Sequence, residues 1–260
     1  MFDAMIHHKI DTEGLEFQVS YQDIETLNQE ALKSSPDITK LSTKALSLVL
    51  KEYRVLNTGA ALGFGVGPLL LAKSPIENWK EKIDQFKIGI PGELTTANFL
   101  LDYAFPQKKN KIQMVFSSIE EAIVNHTIDL GLVIHESRFT YSQKGLYSLL
   151  DLGSYWEEKT GLPIPLAGIV VRRSLGEEVQ WKINRVLRRS IEFAFANPSS
   201  SLEYVQSHSQ EMEADIVQKH INLYVNDFSL DLGEKGKNAF LILLKTMDEN
   251  YLENQVFIQD

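Results

Sequence analysis

The chain passes from a buried apolar run to reactive side chains within one residue in DLGLVIHESRFTY, residues 129–141. Leu130, Gly131, Leu132, Val133 and Ile134 read as a short strand buried on both faces. His135, Glu136, Ser137 and Arg138 follow at once. An ordinary imidazole, with a pKa near 6.5, takes up a proton close to neutral pH and gives it back, as a general base must. The carboxyl ends of strands in open α/β sheets are also where ligands gather. A polar residue merely satisfied at a strand end is the plainer alternative, and pattern alone leaves both open. Glu136 is the immediate neighbour, and adjacent strand residues point to opposite faces, so it is set aside as an orienter of His135.

Two further strand ends carry groups suited to an anion. In IGIPGELTTANFLL a buried strand and a Pro-Gly turn lead to a helix starting near Thr95, which places free N–H groups beside the hydroxyls of Thr95 and Thr96. Helix N-termini favour carboxylate or phosphate through unpaired donors and the helix dipole. An ordinary threonine N-cap is the competing reading. In ITKLST, Lys40, Leu41 and Ser42 stand where a strand runs into a helix. All three places follow strands, so one cleft could gather them.

Other candidates are weaker. Gly63, Gly65 and Gly67 in ALGFGVGP suggest dinucleotide binding, but such a fingerprint must open a helix, and here a strand continues. A glycine-rich hinge with close backbone approach fits better. His7 and His8 are adjacent and diverge on a helix, so they cannot chelate one metal as i, i+4 residues could. His126, His208 and His220 lie on polar helical stretches and read as surface residues. No HExxH, G-x-S-x-G or phosphate-loop pattern occurs. With no cysteine in the chain, disulfides, thiolate chemistry and cysteine-ligated metals are excluded.

The elements that must position these groups alternate. A short N-terminal helix is expected, then an amphipathic strand over residues 15–21, a helix from 23 to 33 capped by Asp23, a strand at 38–41 and a helix at 42–50. Strands follow at 53–57 and 66–72, a helix-like connector at 75–85, a strand at 86–90 and a helix at 95–104. After a strand at 112–116, Ser118 and Glu121 read as a capping box. Residues 147–152 and 164–173 complete the strands. Helices occupy the rest, over 181–196, 200–207, 211–224 and 234–250. Two α/β lobes with an interlobe cleft are expected, lobe 1 from 1–83 and 186–260 and lobe 2 from 84–185.

A hydrophobic content of 43% beside 23% charged residues describes a globular chain. The net charge of −9 argues against nucleic acid. No apolar run reaches the ~18 residues a membrane helix needs. MFDAMIHHKID lacks a basic then apolar opening, giving a cytoplasmic expectation. Oligomeric state is not legible.

ETLN (25–28), TKLS (39–42), GAALGFGVGPL, PGELTTA, GLVIHESRFTY, DLGSYWEEKTGLPIPL and YVNDFSLDLG together resemble the 1,4-dihydroxy-6-naphthoate synthases of the futalosine route to menaquinone, over essentially the whole chain. The resemblance implies a two-lobed fold of periplasmic-binding-protein type 2. It implies a lyase that cleaves cyclic dehypoxanthine futalosine to the dihydroxynaphthoate and dihydroxyacetone, without metal or organic cofactor. It also implies His135 as general base, and Lys40, Leu41, Ser42, Thr95 and Thr96 as substrate-binding residues. Chorismate dehydratase of the same pathway and a non-catalytic solute-binding protein are the rival readings. The family begins with a strand and an SPCPNDTF-type loop before the segment matching FDAMIHHKI. The sequence opens at that segment, as a start placed too late or a shortened chain would produce.

Overall fold

A computed structural model of the chain describes residues 1–107, 110–208, 213–248 and 256–259. Among the described residues nine strands form two sheets. In the first, β9 (Ile164–Arg172) is central and antiparallel to β1 (Ile38–Ser42) on one side, and to β2 (Tyr53–Val55) and β3 (Ala61–Gly63) on the other. In the second, the order is β6 (Asn110–Gln113), β5 (Lys87–Ile90), β7 (Leu130–Val133), β4 (Leu69–Ala72) and β8 (Tyr147–Asp151). There β5 is parallel to β6 and β7, while β4 is antiparallel to β7 and β8.

The apolar run IPLAGIVV forms a central strand because it is covered on both faces. Val170 packs with Leu41, Leu46, Tyr53 and Phe240, whereas Ile169 and Val171 pack with Ile183, Val186 and Leu187. That is the period of two expected of a strand. Pro165, which cannot donate to a ladder, sits opposite Leu62 where the β3 register shifts. The second sheet is covered on one face by Ile83, Leu100, Leu101 and Trp156, and on the other by Ile119 and Ile123.

Several elements depart from the sequence reading. Residues 15–21 form no regular element and pair with no strand. Leu15 and Phe17 pack on the core beside the helix Glu177–Ala196, and Val19 and Tyr21 are exposed. Alternation there reports a half-buried ribbon without ladder bonds. Ser118 caps nothing; its hydroxyl donates to the Val115 carbonyl. The short β3 is an element the turn-rich TGAALGFG concealed. The helices expected at 211–224 and 234–250 are seen as Ala214–Tyr224 and Gly233–Met247, residues 211–212 and 249–250 lying outside the described ones.

The sheets also exchange strands away from residues 84 and 185. β4 precedes residue 84 yet lies in the second sheet, and β9 precedes residue 185 yet is the centre of the first. The chain therefore crosses between sheets near residues 64–68 and again near 161–163. At the first crossing the glycines earn their place by contact. A Cβ on Gly67 would lie 2.3 Å from the Gly153 Cα and 2.6 Å from its N. Gly65 is left-handed, with φ +68°, and faces open space.

These two glycines separate two causes of strain. Gly67→Ala meets backbone, which cannot step aside, and is expected to lose about 3 kcal/mol or more. Gly65→Ala meets only the left-handed penalty of about 1–2 kcal/mol. Urea unfolding of both variants checks the order; a Gly67→Ala midpoint equal to that of the parent chain would refute the close approach.

Candidate active site

β7 ends at Val133, and after Ile134 the backbone turns sharply: His135 is left-handed, with φ +59°. A non-glycine residue held there costs about 1–3 kcal/mol and needs support from its surroundings. The support is Tyr224, the last residue of the helix Ala214–Tyr224, whose hydroxyl oxygen accepts the His135 backbone N–H at 3.2 Å. The same hydroxyl donates to the Val66 carbonyl at 3.3 Å, within the first crossing. Arg138 secures the other side, donating to the Gly67 carbonyl and, at 2.7 Å, to Asp151 Oδ2.

The imidazole of His135 is half-buried in an aromatic and polar ring of neighbours. Phe116 stands edge-on at 5.7 Å and the Tyr224 ring at 5.4 Å between centroids. His220, one turn before Tyr224, places Nε2 3.3 Å from His135 Nδ1. The other ring nitrogen of His220, Nδ1, lies 3.1 Å from Glu136 Oε1. Lys40 of β1, from the other sheet, is close enough for its charge to act on both His135 and Glu136. Among the described residues Lys40 has no carboxylate within 4.0 Å and no group of three His, Asp or Glu side chains could hold a metal ion.

The electrostatics have one dominant cause. Burial opposes a charge on His135 and drives its pKa well below the ordinary imidazole value; the positive charge of Lys40 acts in the same direction, as does His220 whenever it is protonated, and Glu136 opposes them. Burial likewise lowers the Lys40 ammonium, against the pull of Glu136. For Glu136 burial is the largest single effect and pushes upward, but the hydrogen bond from His220, a backbone hydrogen bond and nearby charge together outweigh it and hold the carboxyl well below its ordinary range. Lys40 and His135 thus act on one another across the junction of two sheets, and burial disfavours the charged form of each.

The remaining sequence candidates fall into place unevenly. Leu41 is fully buried in the first sheet's core. Ser42 is held by Asn28, which donates to its hydroxyl at 3.1 Å and accepts its N–H at 3.0 Å. Glu25, on the same helix as Asn28, accepts the Leu94 N–H at 3.3 Å and sits where a Cβ on Gly92 would go. The ETLN helix therefore staples the end of β1 to the Pro-Gly turn. Thr95 caps the helix Thr96–Ala104, and the Thr96 hydroxyl donates to the Leu166 carbonyl at 2.7 Å, so both hydroxyls serve the fold. What this helix start offers is backbone: the N–H groups of Thr96 and Ala97 have no acceptor among the described residues.

Three site residues escaped the sequence reading. His220 was expected on the surface and instead meets His135. Tyr224 was not singled out. Glu136 bears on His135 through His220. The available signal was Ile216, His220 and Tyr224 at i, i+4 spacing, which puts a histidine and a tyrosine on the buried face marked by Ile216.

Removing the Tyr224 hydroxyl leaves the His135 N–H without its acceptor. Tyr224→Phe is expected to lose about 1 kcal/mol in urea unfolding; no loss would show that the left-handed turn stands without it. The depressed pKa of His135 has a definite sign as well. Between about pH 6.5 and 5 the unfolded chain binds more protons than the folded one, so stability falls as pH falls. His135→Asn should flatten this part of the stability–pH curve, and an unchanged slope would mean that His135 is not held neutral.

A family model described as menaquinone biosynthesis matches residues 1–249. The 1,4-dihydroxy-6-naphtoate synthase of Thermus thermophilus is 38% identical over 239 residues, covering 92% of this chain and 86% of the relative. The enzyme of the same name from Streptomyces coelicolor is 37% identical over 249 residues, covering 94% and 86%. Protein AF1704 from Archaeoglobus fulgidus superposes with a TM-score of 0.88 at 36% identity, over 96% of this chain and 93% of that one. An ABC transporter protein from Parabacteroides distasonis shares 16% identity at a TM-score of 0.61, over 94% and 88% of the two chains, and shows the fold alone. The architecture is that of the periplasmic solute-binding proteins. No described helix is long and apolar enough to cross a membrane. On the family match and the two synthases together, this chain belongs to the menaquinone-biosynthesis family and is an enzyme of that pathway.

Proposed function

We propose that the chain is a 1,4-dihydroxy-6-naphthoate synthase, a carbon–carbon lyase acting in the cytoplasm on cyclic dehypoxanthine futalosine. The observation that carries the site reading is the imidazole of His135, set on a left-handed turn, held through its backbone by Tyr224 and bonded at Nδ1 to His220. A base must be unprotonated before it acts, and the burial that keeps His135 neutral also strengthens charge interactions around it.

In this reading His135 takes a proton from a substrate hydroxyl or ring carbon. The carbon–carbon bond then breaks, the three-carbon fragment leaves as dihydroxyacetone, and aromatisation of the bicycle draws the reaction forward. Lys40 faces the charge that develops as the proton leaves. The substrate carboxylate is met by donors at the two strand-to-helix junctions, the N–H groups at the start of the helix Thr96–Ala104 beside Thr95 and Thr96, and the Ser42 end of β1 beside Leu41. The solute-binding architecture supports a ligand held between the lobes, 1–83 with 186–260 and 84–185, adjusted by the strand exchange described above. Closure over the ligand would exclude water.

Incubation with cyclic dehypoxanthine futalosine, followed by mass identification of products, tests the assignment. Release of the dihydroxynaphthoate is expected, and product formation from chorismate in its place would overturn it. His135→Asn should retain ligand binding and lose about 10² to 10⁴ in kcat. Lys40→Gln should cost about 10- to 100-fold in kcat/KM, the worth of a charged hydrogen bond. Because His135 is held neutral, kcat/KM of the parent enzyme should stay level from about pH 7.5 to 6, where an ordinary imidazole would be mostly protonated. Full turnover by His135→Asn would remove the base from this position.

A further inference from the structure

We propose that His220 and Glu136 are positioning residues that fix His135 as the Nδ1–H tautomer, so that Nε2 is the nitrogen offered to the substrate. The proposal rests on the reading of His135 as the general base. It concerns which of the two ring nitrogens does the work, and what holds it.

The direction follows from the hydrogen-bond chain. An ionised carboxylate only accepts hydrogen bonds. Glu136 Oε1, 3.1 Å from His220 Nδ1, therefore requires the proton of His220 to be on Nδ1. In the neutral ring that leaves His220 Nε2 with a lone pair. This lone pair lies 3.3 Å from His135 Nδ1, which must then be the donor. The second nitrogen of His135, Nε2, is left as the acceptor. The rings stand nearly perpendicular, at 84° with centroids 5.3 Å apart, and the Tyr224 ring packs on both, at 5.4 Å from His135 and 4.7 Å from His220. His135 and Glu136 follow β7 while His220 belongs to the helix Ala214–Tyr224, so the chain of bonds ties two elements 85 residues apart.

The arrangement serves the proton transfer twice. Before it, both rings are locked, so no rotamer search precedes reaction. During it, the substrate proton arrives on His135 Nε2 and the ring becomes an imidazolium. Its Nδ1–H bond to His220 strengthens, and the Glu136 carboxylate faces the new positive charge through that ring. The proton on Nδ1 stays where it is, and the proton on Nε2 returns to a product. A carboxylate that orients a histidine and stabilises its imidazolium, without taking the proton, is the division of labour known from Ser-His-Asp triads.

The test reads the tautomer directly. With ¹⁵N-labelled histidine at about pH 8, above the ordinary imidazole range, long-range ¹H–¹⁵N correlation should show His135 Nδ1 as the protonated nitrogen and Nε2 as the bare one. His220→Phe, which keeps the packing on Tyr224, should release His135 into a mixture of tautomers and lower kcat about 10-fold or more with KM little changed. The ceiling is the 10² to 10⁴ of losing the base itself. His220→Gln, which retains an acceptor facing Nδ1, should recover part of that loss. Glu136→Gln gives a second route to the same tautomer shift should His220→Phe fail to fold. A bare Nδ1 on His135 in the parent enzyme, or a His220→Phe kcat within twofold of the parent, would overturn the proposal. Full activity of His135→Asn would instead remove the base reading, while the tautomer measurement would still report whether the hydrogen-bond chain exists.

Discussion

The hydroxyl of Tyr224 is the contact on which the site depends. It accepts the backbone N–H of His135 and donates to the carbonyl of Val66, so one oxygen joins the end of β7, the first crossing between the sheets and the C-terminal helices. A left-handed histidine would otherwise relax toward the extended or helical backbone, at a gain of about 1–3 kcal/mol, and carry its ring away. Arg138 adds a second tie to the same crossing through the Gly67 carbonyl. Close contact of Gly67 with Gly153 in turn fixes where that crossing runs.

On this frame, competing electrostatic effects settle into complementary roles. Burial acts against charge on His135 and on Lys40 alike. The imidazole yields, because its ordinary value lies near neutrality and a modest push leaves it bare. An ammonium begins far above neutrality, and Glu136 opposes its loss of charge. In the function proposed above, the first accepts the proton and the second meets the charge left behind. Glu136 remains ionised because His220 donates to it.

The two sheets contribute different parts. β7 supplies His135 and Glu136, β1 supplies Lys40, and the helix containing Asn28 and Glu25 binds the end of β1 to the turn before Thr95. The strand-to-helix junctions are held by internal hydrogen bonds of Ser42, Thr95 and Thr96. In a solute-binding architecture, titratable groups stand on β1 and just beyond β7, while the core faces of β9 remain apolar.

Much of this was legible in the residues themselves. The buried runs LGLV and IPLAGIVV, the Asp23 cap and the threonine start of the helix after PGEL are local patterns, and local backbone preference and burial were enough to read them. His135 was legible as a candidate because a polar break at the end of a buried strand is local too. His220 and Tyr224 were not, since their role lies 85 and 89 residues from the residue they serve and their own surroundings in sequence are polar. Residues 15–21 show the converse: alternation was present, but a ladder partner is a non-local fact. The sequence by itself determined the long buried strands, most helix starts and the candidate base, His135. Only the tertiary structure decided which groups surround that base, its left-handed turn and the side of the fold each strand joins, because these depend on contacts between segments that local pattern does not record.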